Sequence, residues 1–247
     1  MKEALRKMMI VGAIGLASFL PMKNLKAKAI IQEDTAKTEE TQKNKLNVNL
    51  NANLANKTRF WGSPFINSPV YTQSLNANYG NFSASIVGET EVNKKKLFNL
   101  IVRAGFSQPL SKKISLNLGY LFSNFNLEKG WQKVSMASAS LATSLPLNPS
   151  ITYNRLFGLG GGAYVEGNLS QEIPLTKNTS VNLSGKLGYN DKAMRDRSSF
   201  THLEGNVNVP IKLSDEITLS PYLSYFQPLA SDFTKGLNAG LNIDIKL

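Results

Sequence analysis

Residues 236–247 read GLNAGLNIDIKL. Leu237, Ala239, Leu241, Ile243, Ile245 and Leu247 are apolar; Asn238, Asn242, Asp244 and Lys246 between them are polar, and Gly240 is neutral. Strict alternation with period two marks a strand with one apolar face and one wetted face. A strand of a soluble sandwich alternates in the same way. What sets this stretch apart is that it ends the chain, and that roughly eleven earlier stretches repeat its pattern at strand length.

Residues 46–54 put Leu46, Val48, Leu50, Ala52 and Leu54 on one face and Asn47, Asn49, Asn51 and Asn53 on the other. Asparagine is depleted in the strands of soluble proteins. A row of four fits a face that lines water. Residues 71–79 place Leu75, Ala77 and Tyr79 in step, Gly80-Asn81 makes a tight turn, and Phe82, Ala84 and Ile86 return. The pattern predicts further strands over 97–106, 114–122, 133–145, 151–157, 163–173, 180–189, 200–211 and 217–226. In 97–106 the apolar row is Phe98, Leu100, Val102, Ala104 and Phe106. The stretch 133–145 has Ser and Ala on both faces, so its outer side stays open. The total, about twelve, is even, as single-chain bacterial barrels require.

The connections alternate in length. Those at 55–70, 88–96, 123–132, 158–162, 190–199 and 227–234 are the longer set, and 158–162 is its short exception. Those at 80–81, 107–113, 146–150, 174–179 and 212–216 are the shorter set, rich in turn-forming Pro, Asn, Asp and Ser. Outer-membrane barrels have short periplasmic turns and longer outer loops, which places both termini in the periplasm. Tyr71, Tyr79, Phe106, Tyr120, Phe122, Tyr189 and Tyr225 are expected near strand ends, as an interfacial girdle.

Composition agrees. The 247 residues include no Cys and carry a formal charge of +11. Thiol chemistry and thiolate metal sites are excluded. Residues 1–29 read as a cleavable signal peptide: Lys2, Arg6 and Lys7, an apolar core over 8–20, and Ala27-Lys28-Ala29 as a small-x-small site. That core is shorter than the roughly 20 residues of a membrane helix. Its removal leaves about +6. Residues 30–45 are polar and of mixed charge, a disordered periplasmic lead-in. The domain reading is therefore signal peptide 1–29, lead-in 30–45 and barrel 46–247: all-β, a transmembrane antiparallel up-and-down barrel. An apolar outer face in lipid must close on itself, because an open edge leaves backbone groups unpaired in hydrocarbon.

The segments RFWGSPFINSPVYTQSLNANYGNFSASIVG (59–88), ASLATSLPLNPSITYN (139–154), AYVEGNLSQEIPL (163–175) and HLEGNVNVPIKLSDEITLSPYLSYFQPL (202–229) resemble a family of Gram-negative outer-membrane barrels whose function is not established. There is a looser similarity to the MltA-interacting barrel family. The resemblance implies architecture and no mechanism. Gly240, Ile243, Ile245 and Leu247 resemble the C-terminal signal read by the barrel-insertion machinery, with Leu247 where an aromatic residue is usual.

Candidate chemistry is sparse. The glycine run at 158–162 has no following Lys-Ser/Thr and precedes a strand, so it is a loop and not a phosphate cradle. No cofactor is expected. His202, the sole histidine, with Glu204 and with Ser170 or Ser184, has the composition of a hydrolase triad. Parity puts His202 and Glu204 on the wet face, where lining a lumen is the simpler role. Arg103, Glu166, Lys186, His202 and Glu204 are thus candidate pore-lining residues. Glu166, Lys186 and Glu204 fall on three consecutive strands and are placed to cross-link the wall or to set solute preference. Asp244 and Lys246 share that face. Lys94, Lys95, Lys96, Arg195 and Arg197 fall in loops, where lipopolysaccharide phosphates, not nucleic acid, are the expected partners. The functional expectation is a narrow passive channel for small hydrophilic solutes. The alternatives are a non-conducting structural or adhesive barrel and a lipid hydrolase using His202.

On this reading the unheated protein in detergent runs at a different gel mobility from the boiled protein. One mobility at both temperatures, or a signal-free chain that stays monodisperse without detergent, removes the barrel.

Overall fold

The computed structural model describes residues 45–60, 63–127, 130–158, 161–193, 198–231 and 235–247. The signal peptide and nearly all of the lead-in lie outside them, as do Arg195 and Arg197. The strands are β1 (Leu46–Ala55), β2 (Thr58–Phe60), β3 (Ser63–Ile66), β4 (Val70–Tyr79), β5 (Phe82–Glu91), β6 (Lys96–Pro109), β7 (Ile114–Leu127), β8 (Gly130–Thr143), β9 (Ser150–Phe157), β10 (Ala163–Pro174), β11 (Ser180–Asp191), β12 (Ser199–Asn208), β13 (Ile211–Lys212), β14 (Ile217–Pro228) and β15 (Gly236–Lys246). β2 and β3 form a hairpin within the first loop, and β13 is a short extension beside β14.

The other twelve strands pair antiparallel with their chain neighbours, and β15 pairs with β1 to close the cylinder. β12 bonds directly to β14. Followed once round the wall, the paired rows return to β1 about 16 residues farther along. With twelve strands, that offset makes the strands lean by roughly 40° and leaves a backbone cylinder roughly 25 Å across.

Period two sorts the side chains. Leu50 faces Leu75 and Ile245, and this row continues outward as Ile86, Val102 and Phe122. The outer face also carries Leu118, Tyr120, Leu141, Ile151, Tyr153, Leu187, Leu203, Leu223 and Leu241, all exposed. Ile151 leaves 54% and Leu223 46% of its surface uncovered. An apolar band this continuous far exceeds the few hundred Å² that a soluble monomer tolerates. It fits a hydrocarbon surround. The stretch left open in the sequence is also settled: Ser135, Ala137, Ala139 and Leu141 of β8 face outward, paired with Phe122, Tyr120, Leu118 and Leu116.

Several expectations need correction. The loop expected at 123–132 is mostly strand, because β7 and β8 run on to Leu127 and from Gly130. The loop expected at 88–96 shrinks to 92–95 in the same way. The alternation of loop lengths therefore fades, and only 56–69 is clearly long. Because β7 is longer than expected, Tyr120 lies mid-wall, against Ala104 and Ala137, and not in a girdle. Phe98 leaves the outer row. A bulge gives β6 an extra residue there, so that Leu97 faces Thr90 and Phe98 is buried.

Leu223 sits near mid-height on the lipid-facing side. Leu223→Arg is expected to destabilise the folded barrel by about 2–4 kcal/mol, and Ile217→Arg at the rim by about 0–1 kcal/mol. Urea titration in lipid vesicles, followed by the heat-shifted gel band, measures both; equal costs would place the hydrocarbon elsewhere.

Candidate functional site: the lumen

The inner face begins with asparagines on neighbouring strands: Asn47 opposite Asn78, Asn49 opposite Asn76. It continues through Asn242, Asn238, Asn206, Asn208 and Asn182. Small polar groups bond across strands: Ser107 donates to Asn117 at 2.7 Å and Thr152 to Ser140 at 3.1 Å. The amide oxygens of Asn53, Asn182, Asn206, Asn208 and Asn238 find no hydrogen bond among the described residues. Buried carbonyls are seldom left so. This inner face is built to be satisfied by water or a polar solute.

Two glycines on this face are required by close approach. At Gly188 a Cβ would collide with the Tyr164 hydroxyl, Cε1 of His202 and Oγ1 of Thr201. At Gly240 it would enter the Tyr222 ring, which lies across it. An aromatic ring laid over a strand glycine covers backbone that would otherwise be bare. The Tyr222 hydroxyl accepts a hydrogen bond from Asn53 Nδ2 at 3.4 Å.

All five candidate residues stand on the inner face. Lys186 is directly opposite Glu204, and its Nζ is 3.8 Å from Glu166 Oε1. Arg103, opposite Ser85 and Leu121, belongs to β6, six strands round the ring from β12 and so across the lumen from Glu204. It borders a cavity of about 380 Å³ with Asn76, Asn78, Ser83, Ser85 and Ser138, where Gly105 and Gly119 leave room. Given the lean of the strands, Arg103, Glu166, Lys186 and Glu204 lie within roughly 5 Å of one height, near mid-wall.

His202 occupies the next layer toward the first loop. It is 2% exposed and stacks on Phe226 with ring centroids 4.7 Å apart; Tyr164 lies parallel at 6.5 Å. Its Nδ1 is 2.9 Å from Oγ1 of Thr201. Ser170 and Ser184 face each other, and Ser184 faces Asn206, four residues and about 13 Å along the strand from His202. The triad of the hydrolase reading is therefore not assembled. On the same side of the wall, Val134, Leu156, Tyr164 and Ala193 form a buried cluster with Phe125 and Met136 against it. Among the described residues no group of His, Asp and Glu is placed to hold a metal.

Sequence reading missed Glu89 and Glu91, which the parity of β5 turns inward. Asn99 donates to Glu89 at 2.8 Å and accepts from Ser123 at 2.7 Å. Glu91 accepts from Ser68 at 2.7 Å and pairs with Lys94 at 3.1 Å at the rim. The signal was present in their alternation with Gly88 and Thr90, but both fell within a stretch read as loop.

These features define a closed twelve-strand barrel, apolar outside and amide-lined inside, the architecture of outer-membrane porins. Solved structures agree. The NanC porin superposes with a TM-score of 0.54 at 12% identity, covering 80% of this chain and 98% of its own. The KdgM porin in complex with disordered oligogalacturonate gives 0.54 at 10%, covering 81% and 99%. An outer-membrane channel from Pseudomonas putida F1 gives 0.54 at 11%, covering 81% and 95%. No family model and no curated protein matches the sequence. At such identities the likeness shows the fold.

Gly188→Val, by displacing Tyr164, His202 and Thr201 together, is expected to destabilise the barrel by about 1–3 kcal/mol. Gly205→Val, where a Cβ meets open space, is the matched control in the same urea titration, and equal losses would remove the packing role given to Gly188.

Proposed function

We propose that this chain is a narrow passive channel for small hydrophilic solutes in a bacterial outer membrane. One observation carries the reading: a closed wall turns an apolar band outward, while five of its inner asparagine amide oxygens have no hydrogen-bond partner among the described residues. A face of that kind is stable beside water and costly in a dry core. Porins among the structural neighbours support it. Solutes would pass by diffusion, with Arg103, Glu166, Lys186, His202 and Glu204 lining the path. The termini and the short turns at 80–81 and 110–113 would face the periplasm, with lipopolysaccharide around the other rim. Gly240, Ile243, Ile245 and Leu247 would address the insertion machinery, and membership of the outer-membrane family resembled by 59–88 and 202–229 belongs to the same proposal.

A second reading, a non-conducting envelope barrel, is favoured by the packing of Tyr164, His202, Phe226 and Leu156 toward one end of the lumen. Planar bilayers separate the two. The channel gives discrete conductance steps from detergent-purified, heat-modifiable protein; folded barrel that inserts without any step sinks it.

A further inference from the structure

The lumen does not share the charge of the chain. The sequence as a whole carries +11. Inside the rim pair Glu91 and Lys96, however, the described residues of the twelve wall strands turn inward three cations, Arg103, Lys186 and Lys246, against Glu89, Glu166, Glu172, Glu204 and Asp244. Many of the lysines stand at the ends of the cylinder: Lys94, Lys95 and Lys96 beside one rim, Lys112, Lys113, Lys177 and Lys212 beside the other. Charges exposed there are screened within about 8 Å at physiological ionic strength. Charges in a narrow passage between low-dielectric walls are screened less, and their field is focused on whatever passes.

The local arrangement makes the excess specific. Lys186 lies between Glu166, at 3.8 Å, and Glu204, directly opposite. One ammonium cannot neutralise two carboxylates, so this trio keeps one negative charge. Across the lumen, the cavity beside Arg103 is lined otherwise by amides, hydroxyls and apolar groups. A solute at mid-wall therefore meets a carboxylate-rich side and a single guanidinium facing it.

We propose that the lumen selects small hydrophilic cations over anions, because its inward carboxylates outnumber Arg103, Lys186 and Lys246, and two of them, Glu166 and Glu204, flank Lys186 at mid-wall. This rests on the channel reading above and names its solute class. Neutral solutes pass on size alone, and polyanions are disfavoured although the protein as a whole is basic.

The test is the zero-current potential of the detergent-purified full chain in a planar bilayer across a steep KCl gradient. The expected sign is that of a cation-preferring pore, with potassium favoured over chloride by at least roughly twofold. Glu166→Gln with Glu204→Gln lowers that ratio toward one, because the remaining inward carboxylates then only balance Arg103, Lys186 and Lys246. Lys186→Gln raises it. Each variant is first checked for the heat-shifted band, and if only one folds, that one decides. A wild-type pore that prefers chloride, or a ratio that neither change moves, overturns the inference and leaves the channel standing. A folded barrel that never conducts overturns the channel reading and this inference with it.

Discussion

Every strand here depends on the backbone hydrogen bonds between β15 and β1. In hydrocarbon an unpaired N–H or C=O costs several kcal/mol, so a sheet with lipid on its outer face has no tolerable edge. The chain meets this by bringing its last strand against its first, down to the final residue, whose N–H bonds to the carbonyl of Val48 at 2.9 Å. Closure then fixes the rest. The number of strands and the offset of the paired rows set the lean, and the lean decides which inner residues share a height. Arg103 and Glu204 are 101 positions apart in sequence; they confront each other only because the cylinder is shut.

The inner face shows how such a wall is filled without becoming a hydrophobic core. Most of the bulky aliphatics stand outside, where Leu, Val and Ile face lipid, and much of the interior is tiled with Asn, Ser, Thr and Gly, with Val87, Ile101, Val134 and Leu156 among the exceptions. Tyr222 lies over Gly240 and Tyr164 reaches Gly188, while Ser83 and Ser138 stand against Gly105 and Gly119. The interior is uneven along its length. Toward the first loop, Tyr164, His202, Phe226, Val134 and Leu156 bury one another; toward the short turns, Asn47, Asn78 and Ser83 are open or partly open. The charged layer lies between the packed shelf and the open mouth.

How much of this was legible in the sequence follows from the same geometry. Face assignment is binary, so parity alone put Arg103, Glu166, Lys186, His202 and Glu204 on the inner side and counted twelve strands. Strand ends were less legible. Residues 123–132 hold Ser, Asn, Glu, Lys and Gly, which look like loop when strands are expected to stop at the membrane surface; paired with each other, β7 and β8 run past it. Bulges leave no signature in a period-two pattern, so Phe98 was placed outside and the disturbance at Thr201 went unseen. Heights were not legible at all, because they need the whole ring of registers. That is why Glu166, Lys186 and Glu204 read as neighbours in sequence analysis, but their level with Arg103 did not.

The outer face holds two cations among the described strand residues, and their positions bear on orientation. Arg155 and Lys133 both point outward, Arg155 paired with Ala137 and Ala163 whose small side chains leave room for its stem, and both stand in the half of the wall nearer the first loop. A guanidinium at the membrane midplane costs about 2–4 kcal/mol, and near an interface about 0–1. Arg155, between Tyr153 and Phe157, would therefore sit where hydrocarbon gives way to head groups, a place where an arginine stem can lie along the apolar wall while its charge reaches the interface. No outward cation of this kind stands on the described strands toward the short turns. A leaflet rich in phosphate would match the Arg155 side, and the lipopolysaccharide leaflet is such a surface. The orientation proposed for the channel, first loop outside and termini inside, thus has a ground that does not depend on loop length, the signal that the structure weakened.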